Sequence, residues 1–167
     1  MPEPRDPAAE LVDLLRRRSL TIAVAESLTG GLLSAEIVRI PGASNTLLGG
    51  VVAYNTAIKH SVLGVDAALL AGHGAVHPAV AEQMAHGVRE ALAVQGRRAD
   101  VGVSTTGVAG PDPQDGQPVG TVFIGVSIGG RTTSEALRLT GDRSAIRNAT
   151  VRAAIESALD ALALPPE

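Results

Sequence analysis

The chain has 167 residues and a formal net charge of -3, with no cysteine, no tryptophan, one tyrosine and one phenylalanine. That length suits one domain with a real core, drawn here from Val, Leu, Ile and Ala, and the missing cysteines exclude disulfides and thiolate metal sites. The charge balance, without a basic stripe interleaved with aromatics, argues against nucleic acid as a partner; no apolar run nears the roughly 18 residues of a bilayer span, so a soluble cytoplasmic protein with no membrane partner is expected.

Met1 to Pro7 is proline-rich and reads as a frayed lead. Ala8 to Arg18 reads as a helix with Leu11, Leu14 and Leu15 on one face, Asp6 as a cap before Pro7, and Arg16, Arg17 and Arg18 meeting its carbonyl end. A strand over Leu20 to Ala25 then runs through Glu26-Ser27-Leu28-Thr29-Gly30-Gly31 into a helix, Thr29 to Ile40, whose Leu33, Ile37 and Ile40 keep a period near 3.6. Two readings of this junction stay open. Helix-start amides and paired glycines suit an anionic ligand, with Ser27 and Thr29 as hydroxyl donors. Equally, Thr29 is an N-cap and the glycines ease helix-on-sheet packing.

Beyond Pro41-Gly42-Ala43-Ser44, Gly49 to Tyr54 reads as a short apolar strand covered on both faces. Strand-helix-strand order predicts a parallel pair with a right-handed crossover, which puts the Ser27 and Tyr54 ends on the ligand-binding edge of the sheet. Thr56 to Leu63 and Asp66 to Ala71 read as short helices split by Gly64; Pro78 opens a longer one, repeating Val80, Met84, Val88 and Leu92 and ending near Gly96. Asp100 to Thr106 is a strand that delivers the loop Thr105-Thr106-Gly107-Val108-Ala109-Gly110 to the same edge, and Pro111 to Pro118 reads as a mobile lip. Thr121 to Ile128 and Thr132 to Leu139 flank Gly129-Gly130 as a hairpin, so the sheet is mixed. A last helix starts at Gly141-Asp142, carries the stripe Ile146, Thr150, Ala154, Ala158 and Leu162, and stops at Pro165-Pro166. The predicted fold is a single-domain α/β chain, a three-layer α/β/α sandwich around a five-stranded mixed, mostly parallel sheet.

The candidate chemistry lies near the second strand. A serine hydroxyl needs a base, and a lysine serves as one when burial lowers its pKa from about 10.4. Ser44 precedes that strand, Tyr54 ends it and Lys59 follows it. Each also has a purely structural reading, and spacing alone does not bring them together. His60, His73, His77 and His86 show no metal-ligand spacing, and no GxGxxG follows a strand, so neither a metal nor a bound NAD cofactor is expected.

Taken in order, Ala25-Glu26-Ser27-Leu28-Thr29-Gly30-Gly31, the Pro-Gly-Ala-Ser segment, Tyr54 with Lys59, Gly107-Val108-Ala109-Gly110-Pro111, Pro118-Val119-Gly120-Thr121-Val122 and Gly141-Asp142-Arg143 resemble the CinA C-terminal domain family, also the nicotinamide mononucleotide deamidase family, across nearly the whole chain. The resemblance implies hydrolysis of the nicotinamide mononucleotide carboxamide to nicotinate mononucleotide and ammonia, within pyridine nucleotide salvage and without a cofactor. It implies Ser44 as nucleophile, activated by Lys59 and Tyr54, with Ser27 as the competing serine. Ser27, Thr29 and Gly30 fall in a first substrate loop, Thr106 and Gly107 in a second, and Arg143 at the anionic end of the substrate. Leu28 stands where many relatives carry cysteine, and Gln117 where they often carry lysine. A homo-oligomer is expected from small apolar faces, and a non-catalytic nucleotide-binding regulatory module is the alternative function.

Overall fold

A computed structural model describes residues 4–166. Chain order is α1 (Pro7–Arg17), β1 (Ile22–Glu26), α2 (Leu32–Val38), a 3-10 turn (Ala43–Asn45), β2 (Leu47–Val52), α3 (Thr56–Leu63), α4 (Ala67–His73), α5 (Pro78–Ala91), β3 (Val101–Gly107), β4 (Thr121–Ile128), β5 (Arg131–Arg138) and α6 (Arg143–Ala163). The first helix starts where polar chemistry allows: Asp6 accepts from the Ala8 and Ala9 amides and Pro7 takes the first turn. Within the lead expected to fray over Met1 to Pro7, Arg5 pairs with Glu10 at 2.9 Å and Asp6 and Pro7 belong to the helix start; residues 1–3 lie outside the described residues. Asn55, Asp66, His77 and Asp142 cap α3, α4, α5 and α6 in the same way.

The strands lie in the order β2-β1-β3-β4-β5. β1 pairs in parallel with β2 and β3, while β3–β4 and β4–β5 are antiparallel, so four strands share one direction and β4 alone opposes them. Alternation along β1 feeds two cores. Ile22 and Val24 join the cluster under α1, α2 and α6, whereas Ala23 and Ala25 join the one under α3, α4 and α5. The chain leaves β1 by α2 on one face to reach β2, and returns by α3 to α5 on the other to reach β3. The strand order thus reverses at the carboxyl end of β1, the position where open α/β sheets hold ligands.

β2 differs from expectation. As the edge strand it is covered only in part, with Val52 49% exposed, because no neighbour pairs with its outer side. Among the described residues no helix is long and apolar enough to cross a membrane.

A small-residue chain packs its layers closely. A Cβ on Gly102 or Gly125 would strike the Ala85 or Ala81 carbonyl of α5, so the helix backbone rests directly on β3 and β4. Gly102→Ala and Gly125→Ala are each expected to lower stability by about 1–3 kcal/mol or more, read as a lower urea midpoint at unchanged m-value.

Candidate functional site

Lys59 lies buried behind a cleft at the sheet rim, against Ser27 of its lining. It projects from α3 and is 1% exposed. Its Nζ donates to Ser27 Oγ at 3.0 Å, to the Ala53 carbonyl at 2.7 Å and to the Tyr54 carbonyl at 3.3 Å. These three acceptors satisfy the three N–H bonds of an ammonium, yet none is a carboxylate, so nothing in direct contact offsets the desolvation. Burial accordingly pushes the amine from its ordinary 10.5 down to about 8, with a smaller opposing pull from Asp115.

Ser27 is placed by the turn that ends β1. Its amide donates to the Thr105 carbonyl at 3.0 Å, tying it to β3, and its hydroxyl faces the cleft lined by Leu28, Tyr54, Ala75, Val76, Thr106, Gly107 and Arg143. Thr29 Oγ1 meets Thr105 Oγ1 at 2.8 Å and is fully buried, so it staples the turn to the sheet and is closed to a ligand. Gly30, at φ +56°, lies outside the lining; a Cβ there would come 3.3 Å from Arg147 Nη2. Thr106 lines the cleft while its hydroxyl donates to the Ala75 carbonyl at 2.7 Å. Gly107 also lines it, and its lack of a side chain is required by β4, since a Cβ would meet the Thr121 carbonyl and Val122.

The expected pairing of Ser44 with Lys59 is not formed. Ser44 is exposed in the turn before β2, beside the start of β1, where the Ile22 amide donates to the Thr46 carbonyl. Lys59 bonds backbone just beyond the other end of β2. Six strand residues separate the two ends, about 20 Å at roughly 3.3 Å per residue. Ser27 is the serine brought to the amine. Tyr54 is 61% exposed; it gives Lys59 its carbonyl, while its hydroxyl accepts from Arg143 Nη2 at 3.2 Å. Arg143 Nη1 donates to the Gly110 carbonyl at 2.5 Å, which leaves the guanidinium on the cleft rim. His60 turns away, its Nδ1 2.7 Å from the Val65 carbonyl.

Two residues missed in the sequence hold the first loop. Glu26, fully buried, accepts from the Leu33 amide at 2.8 Å, the Ser34 amide at 3.1 Å and the Ser34 hydroxyl at 2.7 Å. The helix start that was expected to attract a ligand anion is therefore filled by the chain's own carboxylate, and Thr29 is not its cap. Arg147, one turn after Arg143, donates from Nε to the Leu28 carbonyl at 2.8 Å. A carboxylate just ahead of a glycine-started helix was the available signal for Glu26; the i, i+4 spacing from Arg143 was the only one for Arg147.

The matched region makes the affiliation plain: the CinA C-terminal domain family model covers residues 5–162. The chain belongs to this family. It is 48% identical over 146 residues to a CinA-like protein of Frankia casuarinae, covering 87% of this chain and 33% of that protein. A putative competence-damage inducible protein of a Geobacillus species is 48% identical over 142 residues, covering 84% of this chain and 33% of its own length. The chain thus spans about a third of the curated relatives it matches. Among solved structures, a CinA superfamily protein of Klebsiella pneumoniae superposes with TM-score 0.87 at 31% identity, covering 94% of this chain and 96% of that one. The competence/damage inducible protein CihA of Agrobacterium tumefaciens gives 0.83 at 33%, covering 98% and 100%.

Two outcomes test this CinA-family site without any substrate. Removing the Glu26 carboxylate strands two amides and a hydroxyl, and Glu26→Ala is expected to cost about 2–4 kcal/mol in chemical denaturation, Glu26→Gln less. Lys59 releases its proton near pH 8 when folded and near 10.5 when unfolded. Between those values the unfolded chain binds more protons, so stability rises with pH across that window and the full burial cost applies below it. Lys59→Met should flatten that rise in pH-resolved melting curves.

Proposed function

We propose that the domain is an amidohydrolase acting on nicotinamide mononucleotide, with Ser27 as nucleophile and Lys59 as its base, and without a cofactor. The observation that carries this reading is the 3.0 Å contact between Lys59 Nζ and Ser27 Oγ, with no carboxylate in contact with an amine that burial lowers to about 8. Near neutrality a useful fraction of such an amine is unprotonated, and a neutral amine can accept the Ser27 proton as the hydroxyl attacks the carboxamide carbon. The resulting Lys59 ammonium gives that proton to the carboxamide nitrogen, which leaves as ammonia; the amine then takes a proton from water as it attacks the acyl-serine and returns it to Ser27 Oγ, releasing nicotinate mononucleotide. The Leu28 amide follows the nucleophile directly and donates to no acceptor among the described residues, so it is the leading oxyanion donor. The rim guanidinium of Arg143, held by Tyr54 and Gly110, suits the phosphate end of the substrate. The resemblance to nicotinamide mononucleotide deamidases supplies the substrate; the dyad supplies the chemistry.

Ammonia release from nicotinamide mononucleotide is the direct test. Ser27→Ala and Lys59→Ala are each expected to lower kcat by about a hundredfold or more, while Ser44→Ala stays near wild type. Wild-type kcat/KM should climb with pH to a plateau, with an apparent pKa near 8. Tight binding without any turnover would replace the enzyme by a nucleotide-binding regulatory module, and full activity in Ser27→Ala would remove the dyad.

A further inference from the structure

The segment between Gly110 and Pro118 folds back on the cleft. Its tip is a two-residue turn in which Gln114 and Gln117 bridge each other, with Asp115 at φ +51° and Gly116 at φ +74°. The tip is fastened: Asp115 Oδ2 accepts from the Ala75 amide at 3.0 Å. Gly74 lies directly beneath, and a Cβ there would come 2.5 Å from the carboxylate carbon of Asp115. Ala75 is also held from the sheet, because its carbonyl accepts from the Thr106 hydroxyl. The wall formed by Ala75 and Val76 is thus clamped between β3 and the tip, while Asp112 and Gln114 of the same segment line the cleft.

We propose that Asp115 is a positioning residue for the reaction at Ser27, a latch that seats the Gln114–Gln117 tip against the Ala75 wall and brings a negative charge near the Lys59 ammonium. This rests on the amidohydrolase reading only for its kinetic consequences. The other ionisable groups around the amine are engaged or remote. Glu26 is bound to α2, His60 to the Val65 carbonyl, and Arg143 to Gly110 and Tyr54; Asp112 lines the mouth without acting on Lys59. Asp115 is the group whose charge opposes the desolvation of Lys59. The latch therefore serves two ends: it shapes the cleft mouth, and it keeps the amine from losing its proton too readily to return it to the leaving ammonia.

Asp115→Asn keeps an acceptor for Ala75 but removes the charge; Asp115→Ala removes both; Gly74→Ala pushes the carboxylate off its seat. In substrate-free protein, the Lys59 titration followed by side-chain NMR should move below about 8 in all three variants. Hydrogen exchange at the Ala75 amide should accelerate only in Asp115→Ala and Gly74→Ala. With nicotinamide mononucleotide, Asp115→Asn should shift the kcat pH profile to lower pH at near-constant KM, and Asp115→Ala should also raise KM by about threefold or more. A wild-type Lys59 titration in Asp115→Asn, or unchanged Ala75 exchange in Asp115→Ala, overturns the proposal. Because those two readouts need no turnover, a protein that releases no ammonia refutes the amidohydrolase reading and leaves the latch to be judged separately.

Discussion

An ammonium buried among neutral acceptors is the constraint on which the rest of this domain depends. Lys59 is held by one hydroxyl and two backbone carbonyls, all uncharged, in a setting almost closed to water. Such an arrangement costs stability and is retained only if the surrounding frame determines it. That frame is rigid here. β1 is paired on both sides, the Ser27 turn is fixed to β3 by Thr105, and the Ala53 carbonyl stands just past the end of β2. The acceptors are parts of the sheet rim, so they cannot relax toward solvent without unpicking the central strands.

The topology explains why the amine and the hydroxyl meet although 32 residues separate them. Parallel β1 and β2 end at the same rim, and α3 starts immediately beyond it, so its first turn lies against the turn after β1. β3 brings Thr106 and Gly107 to the same rim from the other side, and α6 delivers Arg143 and Arg147 over the top through its first turns. Each contribution needs close layers. The glycines at 102 and 125 let α5 sit on the sheet backbone, in a chain rich in alanine and nearly free of aromatics.

Much of the frame was legible because it rests on local rules. The cap at Asp6, the start of the last helix at Gly141-Asp142, the Gly129-Gly130 hairpin, and the buried α6 stripe from Ile146 to Leu162 all follow from propensity and period, and all appear. The edge position of β2 was not legible, since an apolar hexamer reads alike at an edge or in the middle of a sheet. The identity of the serine was not legible for a related reason. Ser44 is the nearer to Lys59 along the chain but stands before the strand that Lys59 follows, whereas the parallel pairing of β1 and β2 carries the distant Ser27 to the rim where the amine lies. Thr29 and Gly30 were placed in a ligand loop because their types suit one; in the fold, Thr105 and Arg147 already occupy them.

The pleat of a single strand separates the two ionisable groups that would otherwise neutralise each other. Glu26 and Ser27 are adjacent, and the alternation that sends Val24 to one core and Ala25 to the other sends the carboxylate toward α2 and the hydroxyl toward α3. A slip of one residue would exchange them. The carboxylate would then face Lys59, and an ion pair there would stabilise the ammonium and raise its pKa. At the same time the Leu33 and Ser34 amides would lose their acceptor, so the slipped register is disfavoured from the α2 side. By anchoring α2, Glu26 favours the register that keeps its carboxylate out of contact with the amine, and the proton affinity of Lys59 is lowered by burial that no contacting carboxylate offsets.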